Sequence, residues 1–241
     1  KNVAKIVDRV ACIFLFYYDV YKEAGAKVEF VGHPLVDIVK PSMTINEANA
    51  FAGKKEGRKL ILLMPGSRLM EIEKMLPTLL EAAKIIQKQL PEVDFVMPRA
   101  GTIPLNLLEE KIQASGLDVR ITEGHNYDLF SVADLALATS GTVTLEAALC
   151  GLGSVIVYRT NPLTYMIAKL VVNIPHIGLP NIVAGRSVVP ELIQNDFTPA
   201  KVAKAAMELL ESERNALMKK DLEYVKERLG KPGAVGRVAE L

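Results

Sequence analysis

Residues 133–151, ADLALATSGTVTLEAALCG, combine two apolar segments of different spacing with a small polar turn between them. The stretch begins with a short apolar run, Leu135 to Ala138, of the kind that forms a buried parallel strand. After a small polar turn, apolar residues return at helical spacing from Val143 to Leu149. A buried strand that leads directly into a helix predicts a parallel α/β sheet, because parallel strands need crossover connections.

The turn itself, Ser140-Gly141-Thr142, has the features of an anion-binding site. The first amide groups of a helix have no partner within the helix, and the macrodipole adds partial positive charge there. Ser140 and Thr142 supply hydroxyl groups, and Gly141 lets an anion approach the backbone closely. Glu146 follows one turn into the helix, where its carboxylate can meet the hydroxyls of a ribose. These residues predict a nucleotide diphosphate site; the alternative is an ordinary capped helix after a strand.

A second strand-to-helix turn, PGSR at residues 65–68, repeats this design after an apolar run at residues 60–64. Gly66 and Ser67 suit a tight turn that faces a phosphate. Arg68 offers a fork of hydrogen-bond donors to an anionic oxygen. We therefore expect two phosphate-binding turns in the same sheet, one at residues 65–68 and one at residues 140–142.

Arg68 has an alternative role, in which it pairs with Glu71 or Glu73 on the surface of the following helix. Such an exposed pair contributes only about 0.2–0.5 kcal/mol, so we favour the anion-binding role. Neither turn ends in the Gly-Lys-Ser/Thr of a P-loop, and the Gly-x-Gly-x-x-Gly spacing of a dinucleotide site is absent. The sequence shows no convergent pair of Asp residues that would hold magnesium. Because two separate phosphate turns lie in one sheet, we expect a nucleotide sugar as ligand, bound without a metal or a cofactor.

Strands and helices alternate along most of the chain, which predicts a Rossmann-like parallel sheet with helices on both faces. Predicted strands cover residues 7–16, 27–31, 60–64, 94–97, 119–122, 135–138 and 154–158. Predicted helices cover residues 19–24, 45–52, 71–90, 105–114, 129–132, 143–149, 162–172 and 199–229. Ligands of such sheets bind at the carboxyl ends of the strands, where the strand order reverses.

A loop rich in Pro and Gly, residues 174–186, is a third candidate for binding. It contains two hydrogen-bond donors, Asn181 and Arg186; the alternative is a surface connection with Asn181 as a turn former, and the residues alone favour that alternative. Further upstream, the segment GHPLVD at residues 32–37 predicts a hinge between two domains. Its His33 has either a structural role or a contact with substrate.

The composition limits the class of protein. With 241 residues, 50% of them hydrophobic, the chain can bury a sizeable core, and its net charge of +1 does not indicate a nucleic-acid partner. Cys12 and Cys150 lie in apolar runs and are interpreted as core residues in a reducing compartment. No apolar run reaches the roughly 20 residues that span a bilayer, and no signal cleavage site follows the basic start, so we expect a cytoplasmic protein. Because the chain does not begin with methionine, we expect an amino-terminal portion to precede Lys1.

Five motifs, taken in order, resemble the lipid-A-disaccharide synthase family. They are GHPLVD (32–37), LLMPGSRLMEI (62–72), ATSGTVTLEAAL (138–149), YRTNPLTYMIAKL (158–170) and HIGLPNIVAGRSVVPELI (176–193). The resemblance runs from about Val7 to the last helix and implies the carboxy-terminal domain of a GT-B architecture. Residues 1–32 would be a remnant of the amino-terminal acceptor domain. Residues 33–241 would be the UDP-sugar-binding domain and the final helices.

The resemblance implies an inverting glycosyltransferase of bacterial lipopolysaccharide assembly. Its substrates would be UDP-2,3-diacylglucosamine and 2,3-diacylglucosamine 1-phosphate, which it would join by a β-1,6 linkage with release of UDP. Within this site, the resemblance assigns Arg68 to the diphosphate, residues Ser140 to Thr142 to the phosphates, and Glu146 to the ribose.

Three further assignments come from the resemblance. The main chain near His125 would meet the uracil, and Asn181 and Arg186 would lie near the donor sugar. Arg68 and Asn181 would be the catalytic residues, with Arg68 and the helix dipoles stabilising the departing UDP. Gly66 and Ser67 would complete the set of substrate-binding residues.

Two departures from the family pattern limit what this chain is expected to do. The amino-terminal domain of the family binds the acceptor and supplies the general base, and most of that domain is not in this sequence. Where the family has a Phe followed by acidic residues, this chain reads FYYD at residues 16–19. We therefore expect this chain to bind the donor without completing the reaction.

The resemblance also implies a location in the cell, and two alternative functions stay open. The protein would work in the cytoplasm as a peripheral protein on the inner membrane. One alternative is a UDP-sugar-binding module that needs a partner chain. The other is a UDP-sugar 2-epimerase of similar architecture, which the loop HIGLPNIVAGR fits less well.

Overall fold

The computed structural model describes residues 6–161 and 175–241. Eight strands lie within these described residues: β1 Val10–Cys12, β2 Val28–Phe30, β3 Lys59–Met64, β4 Val93–Arg99, β5 Val119–Glu123, β6 Leu135–Thr139, β7 Ser154–Tyr158 and β8 Glu191–Ile193. They form a two-stranded parallel sheet, β1–β2, and a six-stranded parallel sheet with the order β5-β4-β3-β6-β7-β8.

Helices of the described residues connect these strands and close the chain. They are α1 Leu15–Glu23, α2 Leu35–Ile38, α3 Ile45–Ala52, α4 Leu69–Gln89, α5 Leu105–Ser115, α6 Asn126–Val132, α7 Thr142–Leu149, α8 Leu179–Ala184, α9 Pro199–Leu210, α10 Ser212–Arg228 and α11 Ala234–Ala239. None of the helices in this part of the chain combines the length and the apolar character that crossing a bilayer requires.

Strand β3 shows why both faces of the large sheet are covered. Its side chains alternate between two cores, as the two-residue period of a strand requires. Ile61 and Leu63 pack with helices α4 and α9, whereas Leu60 and Leu62 pack with helices α3 and α6. All four side chains are fully buried. The predicted parallel sheet with helices on both faces is therefore confirmed.

The prediction was wrong around residues 7–16 in the amino-terminal part. The strand stops at Cys12, and helix α1 begins at Leu15 instead of residue 19. The aromatic residues that suggested a strand are placed at helical spacing, so their rings are in contact. The ring centres of Phe14 and Tyr17 are 6.4 Å apart, and those of Tyr17 and Tyr21 are 6.2 Å apart. Ring contacts three and four residues apart favour the helix here.

The carboxy-terminal half departs from the prediction in four places. Helix α8 interrupts the loop expected at residues 174–186, and the short edge strand β8 follows it. The helical stretch expected at residues 199–229 is two helices, α9 and α10, and helix α11 follows where no helix was predicted. A three-residue strand has too few positions to show a period. The predicted helix at residues 162–172 lies outside the described residues.

The hinge segment is held from both ends of the chain. The carboxylate of Asp37 accepts hydrogen bonds from the amides of Gly233 (2.8 and 3.0 Å) and Ala234 (3.3 Å), where helix α11 begins. His33 is buried; its Nδ1 accepts the amide of Leu35 at 3.1 Å and its ring lies 4.7 Å from that of Phe14. Burial lowers the pKa of His33. The sequence left two roles open for His33, a structural one and a contact with substrate, and these contacts favour the structural role.

Candidate functional site

The two predicted phosphate turns lie at the point where the strand order of the large sheet reverses. Strands β3 and β6 are neighbours, with Met64 paired to Ala138 at their carboxyl ends. From β3 the chain proceeds outward through β4 and β5, and from β6 it proceeds to the other side through β7 and β8. This reversal is where doubly wound sheets open a crevice for ligands.

One cavity of about 340 Å³ lies between the two turns. Six of the residues predicted from sequence line it, three from each turn: Gly66, Ser67, Arg68, Ser140, Gly141 and Thr142. The folded chain thus brings together two segments that are more than 70 positions apart in sequence. A nucleotide whose phosphates entered this cavity would face both turns.

The turn at residues 65–68 is held by the carboxylate of Glu71. Its Oε2 accepts hydrogen bonds from the amides of Ser67 (2.8 Å) and Arg68 (3.2 Å), and its Oε1 accepts one from Nη1 of Arg68 (2.9 Å). Gly66 has φ +118°, and a Cβ there would lie 2.4 Å from Oε2 of Glu71, so only glycine fits.

The free protein therefore shows the pairing of Arg68 with Glu71 that the sequence offered as an alternative. The side chain of Arg68 is nevertheless 80% exposed at the mouth of the cavity. An exposed pair of this kind contributes little and can exchange for another anion. The anion-binding role of Arg68 stays a prediction.

The turn at residues 140–142 is more open. Ser140 is held on both sides: its amide donates to the carbonyl of Val157 (3.0 Å) and its Oγ to the carbonyl of Ile177 (3.0 Å). A Cβ placed on Gly141 would meet no atom within 4 Å, so the space in front of its backbone is free. Thr142 is exposed and begins helix α7. The amide of Thr144 donates to the carbonyl of Gly141 (3.1 Å), which leaves the amides of Thr142 and Val143 without an acceptor within the helix.

Glu146 lies one turn further along helix α7, outside the lining of the cavity. It is half-buried and makes no hydrogen bond or ion pair with another described residue. Burial raises the pKa of its carboxyl group. A ligand that donates hydrogen bonds to a carboxylate in such surroundings stabilises its charged form.

His125 begins helix α6 in a left-handed conformation, with φ +53°. Its ring packs edge-on against Phe51 at 5.2 Å, and its Nδ1 lies 3.2 Å from Oδ2 of Asp128. The buried carboxylate of Asp128 also accepts the amides of Ser42 (2.6 Å) and Met43 (2.7 Å). Burial by itself would raise the pKa of Asp128, but these hydrogen bonds outweigh it and hold the pKa below its usual value.

Asn181 is placed differently from the catalytic role predicted for it. Its side chain is fully buried, and every polar atom is used within the protein. Oδ1 accepts the amides of Val188 (2.7 Å) and Val189 (3.0 Å), while Nδ2 donates to the carbonyl of Val189 (2.8 Å) and to Glu191 (2.6 Å). In this structure the protein itself fills the hydrogen bonds of the Asn181 side chain, which favours a structural role, and the catalytic role stays a prediction.

Arg186 also lies apart from the cavity between the turns. It pairs with Asp221 at 2.6 Å, its guanidinium carbon lies 5.6 Å from the ring centre of Tyr224, and it lines a separate cavity of about 350 Å³. The pair with Asp221 raises the pKa of Arg186. The contact of Arg186 with the donor sugar stays a prediction.

Glu191 connects these residues to the phosphate turn, and sequence reasoning missed it. Its carboxylate accepts the amides of Ile177 (2.9 Å) and Gly178 (3.0 Å) as well as Nδ2 of Asn181. The carbonyl of Ile177 in turn receives the hydroxyl of Ser140. Asn181 and Glu191 therefore hold the segment against which the turn at residue 140 rests.

Sequence reasoning also missed three polar residues that line the cavity: Arg99, Asn126 and Thr139. Arg99 ends strand β4, donates to the carbonyl of Ile103 at 2.7 Å and pairs closely with Glu123. Arg99 and Thr139 could have been found by asking which polar residues end the strands beside β3, since parallel strands end at one edge.

Solved structures share the fold at low sequence identity. A UDP-GlcNAc 2-epimerase from Neisseria meningitidis, bound to UDP-GlcNAc, is 15% identical with a TM-score of 0.66, over 98% of this chain and 61% of that one. WaaG, a glycosyltransferase involved in lipopolysaccharide biosynthesis, is 17% identical with a TM-score of 0.56, over 90% of this chain and 58% of that one. These likenesses support the GT-B fold.

Sequence comparison is more specific. The family model for lipid-A-disaccharide synthetase matches residues 1–235. A lipid-A-disaccharide synthase from Geobacter sulfurreducens is 42% identical over 99% of this chain, and one from Nitrosococcus oceani is 40% identical over 100% of this chain. The chain spans about 62% of the length of each of these relatives. It belongs to the lipid-A-disaccharide synthetase family.

Proposed function

We propose that this chain is the donor-binding part of a lipid-A-disaccharide synthase. The protein would transfer the sugar of UDP-2,3-diacylglucosamine to 2,3-diacylglucosamine 1-phosphate and release UDP. The observation that carries this proposal is the single cavity at the switch point, lined by both the turn at Gly66–Arg68 and the turn at Ser140–Thr142. Two such turns suit a diphosphate better than a single phosphate.

In this proposal the diphosphate lies between the turns. Arg68 exchanges its contact with Glu71 for a phosphate oxygen, and the free amides at the start of helix α7 face the other phosphate. The ribose hydroxyls donate to Glu146, and the uracil meets the backbone near His125. Negative charge builds up on UDP as the bond to the sugar breaks, and Arg68 with the helix dipole stabilises it.

Inversion at the anomeric carbon requires the acceptor hydroxyl to attack from the face opposite UDP. The acceptor loses its proton to a base, which we place in the part of the relatives that this chain does not match. We assign residues 1–32 to that acceptor domain and residues 33–241 to the donor domain. In support, the two-stranded sheet β1–β2 is separate from the large sheet.

We place the protein in the cytoplasm, as a peripheral protein on the inner membrane, because its substrates would be lipids. Asn181 and Glu191 act in this proposal by positioning the segment next to Ser140. Of the alternatives, the 2-epimerase is disfavoured because the relatives at about 40% identity are disaccharide synthases.

Calorimetric titration of this chain with UDP, with and without Mg²⁺, tests the proposal. We expect binding in both conditions, since backbone amides and one arginine can hold a diphosphate without a cation. With donor and acceptor in detergent we expect no glycosyl transfer, because general-base catalysis contributes about 10²–10⁴-fold and acceptor positioning a further 7–11 kcal/mol or so. Absence of UDP binding, or full turnover by this chain, would contradict the proposal.

A further inference from the structure

Thr139, the last residue of strand β6, has a buried hydroxyl without a hydrogen-bond partner. The residue is 4% exposed, and its Oγ1 is one of five buried side-chain atoms in the described part of the chain that find no partner. Of the five residues that carry these atoms, Thr139 is the one that lines the cavity between the phosphate turns. An unpaired polar group is therefore present in the wall of the candidate ligand cavity.

A buried hydroxyl without a partner is unusual, because most buried polar side-chain atoms in folded proteins are hydrogen-bonded. Valine has the same shape and favours strands equally well, so packing gives no reason for threonine at this position. Such an unpaired group needs an explanation, and a role toward a bound ligand is one.

We propose that Thr139 is a ligand-binding residue whose hydroxyl donates to a phosphate oxygen of a nucleoside diphosphate held between the two turns. The inference rests on the proposed function. The charged residues that line the same cavity are Arg68, Arg99 and Glu71, so the lining keeps an excess of positive charge that suits an anion. The hydroxyl would reach the ligand by rotation about the Cα–Cβ bond, and this rotation breaks no hydrogen bond, because Oγ1 has none in the free protein.

Thr122 provides a matched control. It lies on strand β5, is 7% exposed, and its Oγ1 is likewise buried without a partner. It does not line the cavity between the turns. Replacing either threonine by valine removes the same atom from the same kind of strand, but only one of the two replacements changes the proposed site.

The experiment compares Thr139→Val with Thr122→Val in the full 241-residue chain. Calorimetry measures the affinity for UDP and for uridine, and thermal unfolding measures stability. We expect Thr139→Val to weaken UDP binding by about tenfold or more, the range for a hydrogen bond to a charged group, and to leave uridine binding unchanged. We expect Thr122→Val to leave both affinities unchanged. Both variants should melt about 2–4 °C higher, because each loses an unpaired buried hydroxyl.

Thr139→Ser, which keeps the hydroxyl, should bind UDP like the parent chain, and Thr139→Ala should bind like Thr139→Val. This pair decides the question if the valine variant does not fold. Equal UDP affinity in the parent chain and in Thr139→Val would overturn the inference and leave the proposed function standing. Equal losses for UDP and uridine would also overturn it, since they indicate a distorted strand. No UDP binding by the parent chain would overturn the proposed function, and this inference with it.

Discussion

The carboxylate of Glu71 accepts a hydrogen bond of 2.8 Å from the amide of Ser67, the residue at the centre of the turn that the sequence assigned to phosphate. A side chain of the protein thus uses a donor that a ligand would need. The same carboxylate pairs with Arg68 at 2.9 Å. Binding of a diphosphate at this turn is therefore an exchange of one anion for another.

From this exchange we expect Glu71→Gln to bind UDP several-fold more tightly than the parent chain, because an amide releases Arg68 more easily than a carboxylate does. The variant should also lose about 0.3–1 kcal/mol of stability, since a negative charge near the start of helix α4 is lost. Calorimetry and urea unfolding measure the two effects. Glu73→Gln, an exposed neighbour on the same helix, is the control. Weaker UDP binding by Glu71→Gln would mean that the carboxylate is needed to shape the turn.

Replacement of Arg68 by alanine should weaken UDP binding by about 1.5–3 kcal/mol, the range for hydrogen bonds to a charged group. The loss should be larger for UDP than for uridine, because the guanidinium acts on phosphate. Arg214→Ala removes an exposed arginine that does not line this cavity and serves as the control. Unchanged UDP affinity in folded Arg68→Ala would leave only the pair with Glu71 as the role of this residue.

Replacement of Glu146 by glutamine should weaken the binding of UDP but hardly affect that of 2′,3′-dideoxy-UDP, which lacks the hydroxyls that the carboxylate would accept. Competition calorimetry with the two nucleotides measures the difference. If both nucleotides lose affinity equally, Glu146 does not contact the ribose.

The raised pKa of Glu146 also predicts the pH dependence of stability. A carboxyl group with a higher pKa in the folded than in the unfolded state destabilises the fold once the pH exceeds its ordinary value, and has no such effect well below it. Glu146→Gln should therefore stabilise the free chain at neutral pH, and the gain should disappear as the pH falls below about 4. Urea unfolding across this pH range checks the sign; a gain that grows in acid would contradict it.

Replacement of Asn181 by alanine distinguishes the structural role from the catalytic one predicted from sequence. The substitution leaves the amides of Val188 and Val189 and one acceptor of Glu191 without their partner, at about 1–3 kcal/mol for each buried group. We expect a clear loss of stability in chemical unfolding, and none in Asn195→Ala, an exposed control. A variant of normal stability with impaired donor binding would restore the catalytic interpretation.

Most of the sheet could be predicted from the sequence because its signals are local. Apolar runs such as residues 60–64 mark buried strands, and turns such as PGSR and TSGT mark the places where helices begin. The sequence also placed both turns at the carboxyl ends of strands. Where a signal is short or shared between two structures, as in strand β8 or in the aromatic residues of helix α1, prediction failed.

Local sequence patterns were enough to predict strands β3 to β7 of the large sheet and the two turns, and the motifs were enough to predict the family. The hydrogen-bond and ion-pair partners of the polar side chains became visible only in the folded chain. Strand order brings Thr139 and Arg99 to the same cavity as Ser67, although nothing local connects them. Asn181 and Arg186 are occupied by Glu191 and Asp221, partners far enough away in sequence that no periodicity reveals them. Hydrogen-bond partners depend on distances in space, and a sequence pattern records only distances along the chain.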